Sequence, residues 1–242
     1  MYMMNMTQHD FLQAMKDGID TVLIPIGMLE VHGEHCALGT DTLIPREFVQ
    51  RLEKVIGEKI MVAPEIAYGH SWALAPFRGT IDVSHTAFTS YVTEVAEQFF
   101  RQGFRHIILF NGHGGNISSL TAVGEHLADL GAYVLTINWW LDYRDTIVKY
   151  APNTGHAGED ETSCVLAIDE SLVQMAYAHD HTDTLSRKIK SKQMGLRIFP
   201  NGNTGNATEA TVGKGLQIYE ALIPEIVQDI RSLWEFAAES SE

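Results

Sequence analysis

The segment HIILFNGHGGN, with the helical and apolar runs that follow it, constrains this chain more than any other feature. His106–Phe110 (HIILF) is short and apolar, the pattern of a buried strand. Asn111–Asn116 (NGHGGN) holds three glycines in six residues and reads as a tight turn. Ile117–Leu130 has helical spacing, Gly131 ends it, and Tyr133–Asn138 (YVLTIN) is again strand-like. Strand, turn, helix and strand in that order form a βαβ unit, so the two strands are expected to lie parallel.

The same alternation runs along the rest of the chain. Thr21–Gly27 (TVLIPIG) reads as a strand entering a polar loop. Thr42–Ile56 reads as a helix with Leu43, Phe48, Leu52 and Val55 on its apolar face. Thr40 or Asp41 stands where a cap belongs, and Pro45 is tolerable only in the first turns. Ile60–Ala63 is a short apolar run, Ala87–Gln102 a helix stopped by Gly103, and Glu161–Ile168 a further helix. Leu196–Thr208 reads as a long loop, and Thr211–Phe236 as a final helix interrupted near Pro224. The expectation is an α/β fold with a mainly parallel sheet, formed as one domain over residues 1–242.

Charge narrows the partners. Lys and Arg total 17 against 31 Asp and Glu, a net charge of -14, and the basic residues form no run. That balance argues against nucleic acid and anionic membranes and leaves a small molecule as the expected partner. Cys36 and Cys164 are too few for a disulfide framework. No apolar stretch is long enough to span a bilayer, and the first residues lack a signal-peptide pattern, so a cytoplasmic location is expected.

In open parallel sheets, sites form outside the carboxyl ends of the strands. Glu30, His32, Glu34, His35 and Asp41 follow the first strand, and Asn111, His113 and Asn116 follow the HIILF strand. A third polar cluster, Gly155–Thr162 (GHAGEDET), stands just ahead of a helix. Glu30, His32, Asp41 and His113 offer oxygen and nitrogen ligands suited to zinc, manganese or iron. If one carboxylate, Asp41 foremost, bridged two ions, the pair would form a hydrolytic centre that lowers the pKa of a bridging water and polarises a carbonyl. In extended chain Glu30 and His32 point to the same side. The glycines of NGHGGN do not match the spacing of a dinucleotide loop, and that turn could be structural, with Asn116 as a helix cap.

LIPIGMLEVHGEHCALGTDTLIP, YGHSWALAPFRGTIDVS, FRHIILFNGHGGN, HAGEDETS and TGNATEATVGKG, in this order, resemble the creatininase family of metal-dependent amidohydrolases and ring-opening hydrolases. The resemblance implies a three-layer αβα sandwich, commonly hexameric, and so a homo-oligomer here. It implies two divalent metals held by Glu30, His32, a bridging Asp41 and His113. Creatininase takes a further glutamate two residues after the histidine of its NGH motif, where this chain has Gly115. Glu161 is the substitute implied, with Glu159 as its rival. His156 matches a histidine placed for proton transfer, and Glu159 is expected to share that work. The acidic residue before that histidine is Gly155 here, and the tryptophans that close over creatinine are replaced by Ile147 and Pro152, which argues against creatinine as substrate.

Arg78, His70 and Ser71 fall in one loop of the resemblance and are expected to bind substrate. Trp139 and Trp140 could line a pocket or pack in the core. His179, Asp180, His181 and Asp183 look like a metal run, though a solvated loop accounts for them as well. The expected reaction is attack of a metal-bound hydroxide on a carbonyl, cleaving the C–N bond of a cyclic amide or formamide. The alternative is hydrolytic C–C ring opening of a cyclic polyol ketone such as a dehydro-inosose. A non-catalytic metal- or ligand-binding protein is the third reading, against which His156 and Glu159 argue.

Overall fold

The structure is a computed structural model that describes residues 1–182, 189–191 and 193–240. Four parallel strands, β1 (Thr21–Ile26), β2 (Met61–Val62), β3 (His106–Asn111) and β4 (Tyr133–Asn138), form a sheet in the order β2-β1-β3-β4. The expected βαβ unit is present: β3 pairs with β4 in register from His106↔Tyr133 to Asn111↔Asn138. Side chains of period two sort the strands' residues between two cores. Leu23, Val62, Ile108, Phe110 and Ile137 face one. Val22, Ile24, Ile26, Met61, Ile107 and Leu109 face the other.

Helices cover both faces, as a parallel sheet requires. The helices α1 (Gln8–Lys16), α3 (His85–Arg101) and α4 (Ile117–Asp129) cover the second core through Ala14, Phe88, Val92, Ala96, Leu120, Val123 and Leu127. The first core lies under α2 (Thr40–Ile56), α7 (Glu159–Ile168) and α9 (Val212–Glu239), which bury Phe48, Leu52, Val165, Tyr219 and Ile226. The fold is a three-layer αβα sandwich. Two short helices, α5 (Trp139–Asp142) and α6 (Arg144–Ile147), follow β4 directly. Beyond α7 lie the strand β5 (Asp180–His181), the helix α8 (Met194–Ile198) and the strand β6 (Gly205–Asn206), which pairs antiparallel with β5. Among the described residues no helix is long and apolar enough to cross a membrane.

Three local expectations are corrected. In α2 the buried stripe is Ile44, Phe48, Leu52 and Ile56, and Val55 is 55% exposed. Steps of four keep one face, and Ile56, not Val55, continues the step from Leu52. Helix α9 runs through Pro224 without a break. Pro224 and Glu220, whose carbonyl the proline cannot use, are both on the exposed side, where water replaces the lost bond. The segment expected as a plain loop contains α8 and β6, and it buries Asn203 and Thr204 against the site.

Candidate metal centre

The close approach of backbone to backbone sets the floor of the site. A Cβ on Gly27, at the end of β1, would lie 2.7 Å from the Asp41 carbonyl oxygen. One on Gly112, just after β3, would lie 2.0 Å from the same atom and 2.5 Å from Pro45. The first turn of α2 is therefore seated on two glycines, and Asp41 projects between the ends of β1 and β3. Asn111 and Asn116 fix the turn that carries His113. The His113 backbone N–H donates to Asn111 Oδ1 (3.0 Å), and Asn116 donates to the Gly27 carbonyl (3.1 Å) while accepting from His70 N–H (3.0 Å). Asn116 makes no side-chain cap on α4; its side chain ties strand ends together instead.

Six side chains converge there. Asp41 presents Oδ1 to His32 Nε2 and Oδ2 to His113 Nδ1, each at 2.8 Å. Glu30 Oε1 lies 3.4 Å from His113 Nδ1 and 3.5 Å from His156 Nδ1, and Glu161 Oε2 lies 3.7 Å from His32 Nε2. The far nitrogen of each ring is committed to a backbone carbonyl. His32 Nδ1 faces Glu30 O at 3.2 Å, His113 Nε2 faces His70 O at 3.0 Å, and His156 Nε2 faces Val31 O at 2.8 Å. Each of those nitrogens donates, so the near nitrogen of every ring turns toward the carboxylates. Close as these contacts are, both Glu30 oxygens, His32 Nε2 and Asp41 Oδ2 are buried without a well-directed hydrogen bond among the described residues. Buried carboxylates crowded in this way call for a cation, and these donors fit a divalent one. Among the described residues three overlapping sets, Glu30–Asp41–His113, His32–Asp41–Glu161 and Glu30–His32–His156, each bring three donor atoms within 4.8 Å of one another, and Asp41 belongs to the first two.

Burial and charge oppose each other in the cluster. Burial would raise Asp41, but His32 and His113 outweigh it and hold its carboxyl well below the usual range. Burial would lower the two histidines, but Asp41 and Glu30 prevail, lifting His32 to about 10 and His113 to about 9. Glu30 goes the other way: burial raises it to about 7 against the pull of His113. Burial also raises Glu161 and drives His156 well below its ordinary range, so His156 is neutral at pH 7. Above the cluster opens a cavity of about 960 Å³, walled by Trp72, Trp140, Leu141, Met194, Ile198 and Phe199.

Residues 4–230 match the protein family described as creatininase, creatinine amidohydrolase. The chain belongs to the creatininase family. As such it is a hydrolase. A 3-dehydro-scyllo-inosose hydrolase of Thermotoga maritima is 27% identical over 263 residues, spanning 97% of this chain and 84% of that protein. A mycofactocin precursor peptide peptidase of Mycobacterium tuberculosis is 30% identical over 227 residues, 87% of this chain and 84% of the peptidase. The creatinine amidohydrolase of Pseudomonas putida is 25% identical over 247 residues, 93% of this chain and 94% of that enzyme. Among solved structures, a creatininase variant of Zn-Zn type superposes with a TM-score of 0.83 at 24% identity, over 96% of this chain and 97% of that one. A manganese creatininase gives 0.83 at 23% identity with the same coverage.

Departures from creatininase have a structural reason here. A Cβ on Gly115 would stand 1.9 Å from the His70 carbonyl oxygen, so no side chain fits. A Cβ on Gly155 would stand 2.5 Å from Thr204 O, in the segment that clasps His156 through Thr204 N–H to His156 O (2.8 Å). Glu161 reaches the cluster, whereas Glu159 does not. Glu159 accepts from Asn153 N–H and its side-chain amide, both at 2.8 Å, and pairs with Lys214. The expectation that Glu159 shares in proton transfer gives way to a role in anchoring the 153–158 loop to α9. Its neighbour Asp160 lines the cavity instead, its carboxyl raised to about 7 by burial.

His70 and Ser71 line the cavity, but Arg78 is exposed and does not. Trp140 is in the wall, while Trp139 is buried in the first core together with Ile147. His179 pairs with Glu34 at the surface (3.1 Å), and the run with Asp180 and His181 joins no donor set among the described residues; Asp183 lies outside them. Arg144, Lys190 and Trp72 also line the cavity. Trp72 directly follows His70 and Ser71 in the YGHSWALAP motif, a signal that could have found it, whereas nothing near Arg144 or Lys190 marks them, since α6 and the segment before α8 carry no motif.

Proposed function

We propose that this hydrolase holds two divalent ions and cleaves the C–N bond of an amide. The carrying observation is the Asp41 carboxylate, whose two oxygens address two different histidines at 2.8 Å. Glu30 and His113 would hold one ion, His32 and Glu161 the other, and Asp41 both. Zinc, manganese or iron bound there would supply a Lewis acid for the carbonyl and acidify a water. His156 has a neutral ring whose Nδ1 faces Glu30, and Nδ1 is the atom that takes a proton and returns it to the leaving nitrogen. His70 and Ser71 orient the substrate from the wall. Assembly as a homo-oligomer, up to a hexamer, and a cytoplasmic location belong to the same proposal on the strength of the family resemblance.

Two relatives support C–N cleavage, since an amidohydrolase and a peptidase both break amide bonds. The inosose hydrolase supports ring opening of a cyclic polyol ketone, over 97% of the chain. Leu141, Met194, Ile198 and Phe199 give the wall an apolar stretch that suits an amide with an apolar part and that a polyol, hydroxylated on its ring carbons, cannot use. Metal-stripped protein is reloaded separately with zinc, manganese or iron and assayed on lactams, formamides, peptides and inosose-type ketones. Amide turnover that vanishes with the metal is the expected result, and turnover of ketones alone selects the other bond. Full activity in a metal-free His113→Ala protein overturns the metal reading.

A further inference from the structure

The cavity carries a charge pattern that the hydrolytic cluster does not use. Its floor is acidic, with Glu30, Asp41, Asp160 and Glu161, while the cations of its described lining, the histidines aside, are Arg144 and Lys190. In a chain of net charge -14, Arg46, Arg51 and Arg101 each pair with a glutamate. Arg144 is exposed on α6 and has no ion pair or side-chain hydrogen bond among the described residues. Its neighbour Asp145 makes no ion pair with it among the described residues, and three further acids, on α5 and α9, are engaged by other groups. Asp142 accepts from Asn138 N–H (2.7 Å), Asp229 from Tyr143 (2.6 Å) and Glu225 from Thr146 (2.8 Å). Lys190 stands 6.0 Å from the centre of the Trp72 ring, a contact that uses none of its N–H donors, and it has no hydrogen bond or ion pair among the described residues.

We infer that the substrate of this hydrolase bears a carboxylate remote from its scissile amide, and that Arg144 and Lys190 bind it at the cavity wall. The inference rests on the amide-hydrolase reading and names its substrate class. A guanidinium fork matches a carboxylate through two parallel hydrogen bonds. A volume of about 960 Å³ leaves room for a substrate that spans floor and wall, because small-molecule sites run roughly 300–1,000 Å³. The two cations also give an anion a favourable entry into an otherwise acidic protein. N-acyl ω-amino acids and lactams bearing a carboxyalkyl chain have this chemistry.

The test uses metal-loaded protein and two matched pairs: 6-formamidohexanoic acid and 5-(2-oxopyrrolidin-1-yl)pentanoic acid, each with its neutral carboxamide. Calorimetric binding and kcat/KM are measured for both members. The acids are expected to be favoured roughly 10- to 100-fold, as a charge-assisted, two-bond contact implies. Arg144→Gln and Lys190→Gln are expected to abolish that preference by raising KM for the acids. The carboxamides, kcat and metal content should not change, and circular dichroism verifies folding. Equal binding of acid and amide, no binding by either pair, or an equal loss for both members in R144Q would overturn the inference. A carboxylate preference in binding without turnover would leave it standing and defeat the hydrolase reading; turnover without preference does the reverse.

Discussion

Gly115→Ala isolates the contact that aims His113 at the cluster. The added Cβ would stand 1.9 Å from the His70 carbonyl oxygen and 2.5 Å from His113 Nε2. Van der Waals contact needs roughly 3.5 Å, so carbonyl and ring must part by an ångström or more. The ring is held between Asp41 Oδ2 at 2.8 Å and His70 O at 3.0 Å, and it cannot move without releasing one of them. Losing an outer partner of a metal-binding histidine lowers affinity about 10- to 100-fold. Overpacking costs about 1–3 kcal/mol, which for a chain of this size is roughly 2–12 °C in Tm. Zinc titration against a chelator and calorimetry of the metal-free protein measure the two effects. Gly114→Ala is the control, because its Cβ would meet nothing nearer than Trp140 at 3.9 Å. Wild-type affinity and Tm in Gly115→Ala, or equal losses in the control, would refute the reasoning. By the same logic Gly115→Glu, which restores creatininase's residue, loses metal and gains no ligand.

Protons and metal compete for the same histidine nitrogens. His32 and His113 hold their protons to about pH 10 and about pH 9 in the metal-free protein, so metal uptake at pH 7 releases protons and weakens as pH falls; calorimetry in two buffers of different ionisation enthalpy reads this directly. Stability linked to those raised values is fully present below 6.5 and lost as pH rises through 9 and 10, and Glu30, raised from 4.5 to about 7, acts in the same sense. Below 6.5 the depressed His156 opposes this trend, so the Tm of metal-free protein should fall from about pH 7 to pH 10, and a flat or rising curve over that range contradicts the assignment. His156→Asn should lower kcat by about 10²–10⁴ with metal content retained, and an unchanged kcat removes it from proton transfer. Glu159→Gln should lower Tm by several degrees, since a charge-assisted hydrogen bond contributes about 1.5–3 kcal/mol. Its metal content should hold, and a loss of metal would place Glu159 in the cluster after all.

Legibility followed periodicity and backbone chemistry. The β3–α4–β4 unit was readable because glycine and asparagine punctuate it, and the ends of β1 and β3 then located Glu30, His32 and His113 without further information. Asp41 was readable as an acid at a helix start, but its seat on Gly27 and Gly112 depends on an approach between distant segments that no local pattern records. Glu159 and Glu161 look alike in sequence. They point apart because two residues on a helix are about 200° apart, which sends one to Lys214 and the other to His32. Arg78 lies within a motif yet is exposed, whereas Arg144 belongs to none and faces the cavity. Side-chain direction at the wall comes from how α5, α6 and α8 dock, which is a tertiary property.

The glycine seat beneath Asp41 divides the molecule into a part that cannot drift and a part that can. Any side chain at Gly27 or Gly112 would strike the first turn of α2, so the floor tolerates almost no variation. The wall is built from α5, α6, α8 and the chain just before α8, elements whose exposed residues bear little of either core. Evolution, or a protein engineer, could therefore rewrite exposed wall positions such as Leu141, Arg144 and Lys190 to admit a new substrate while inheriting the hydrolytic centre intact. One floor beneath interchangeable walls is a physical route by which a peptidase, a creatinine amidohydrolase and an inosose hydrolase come to resemble a single chain.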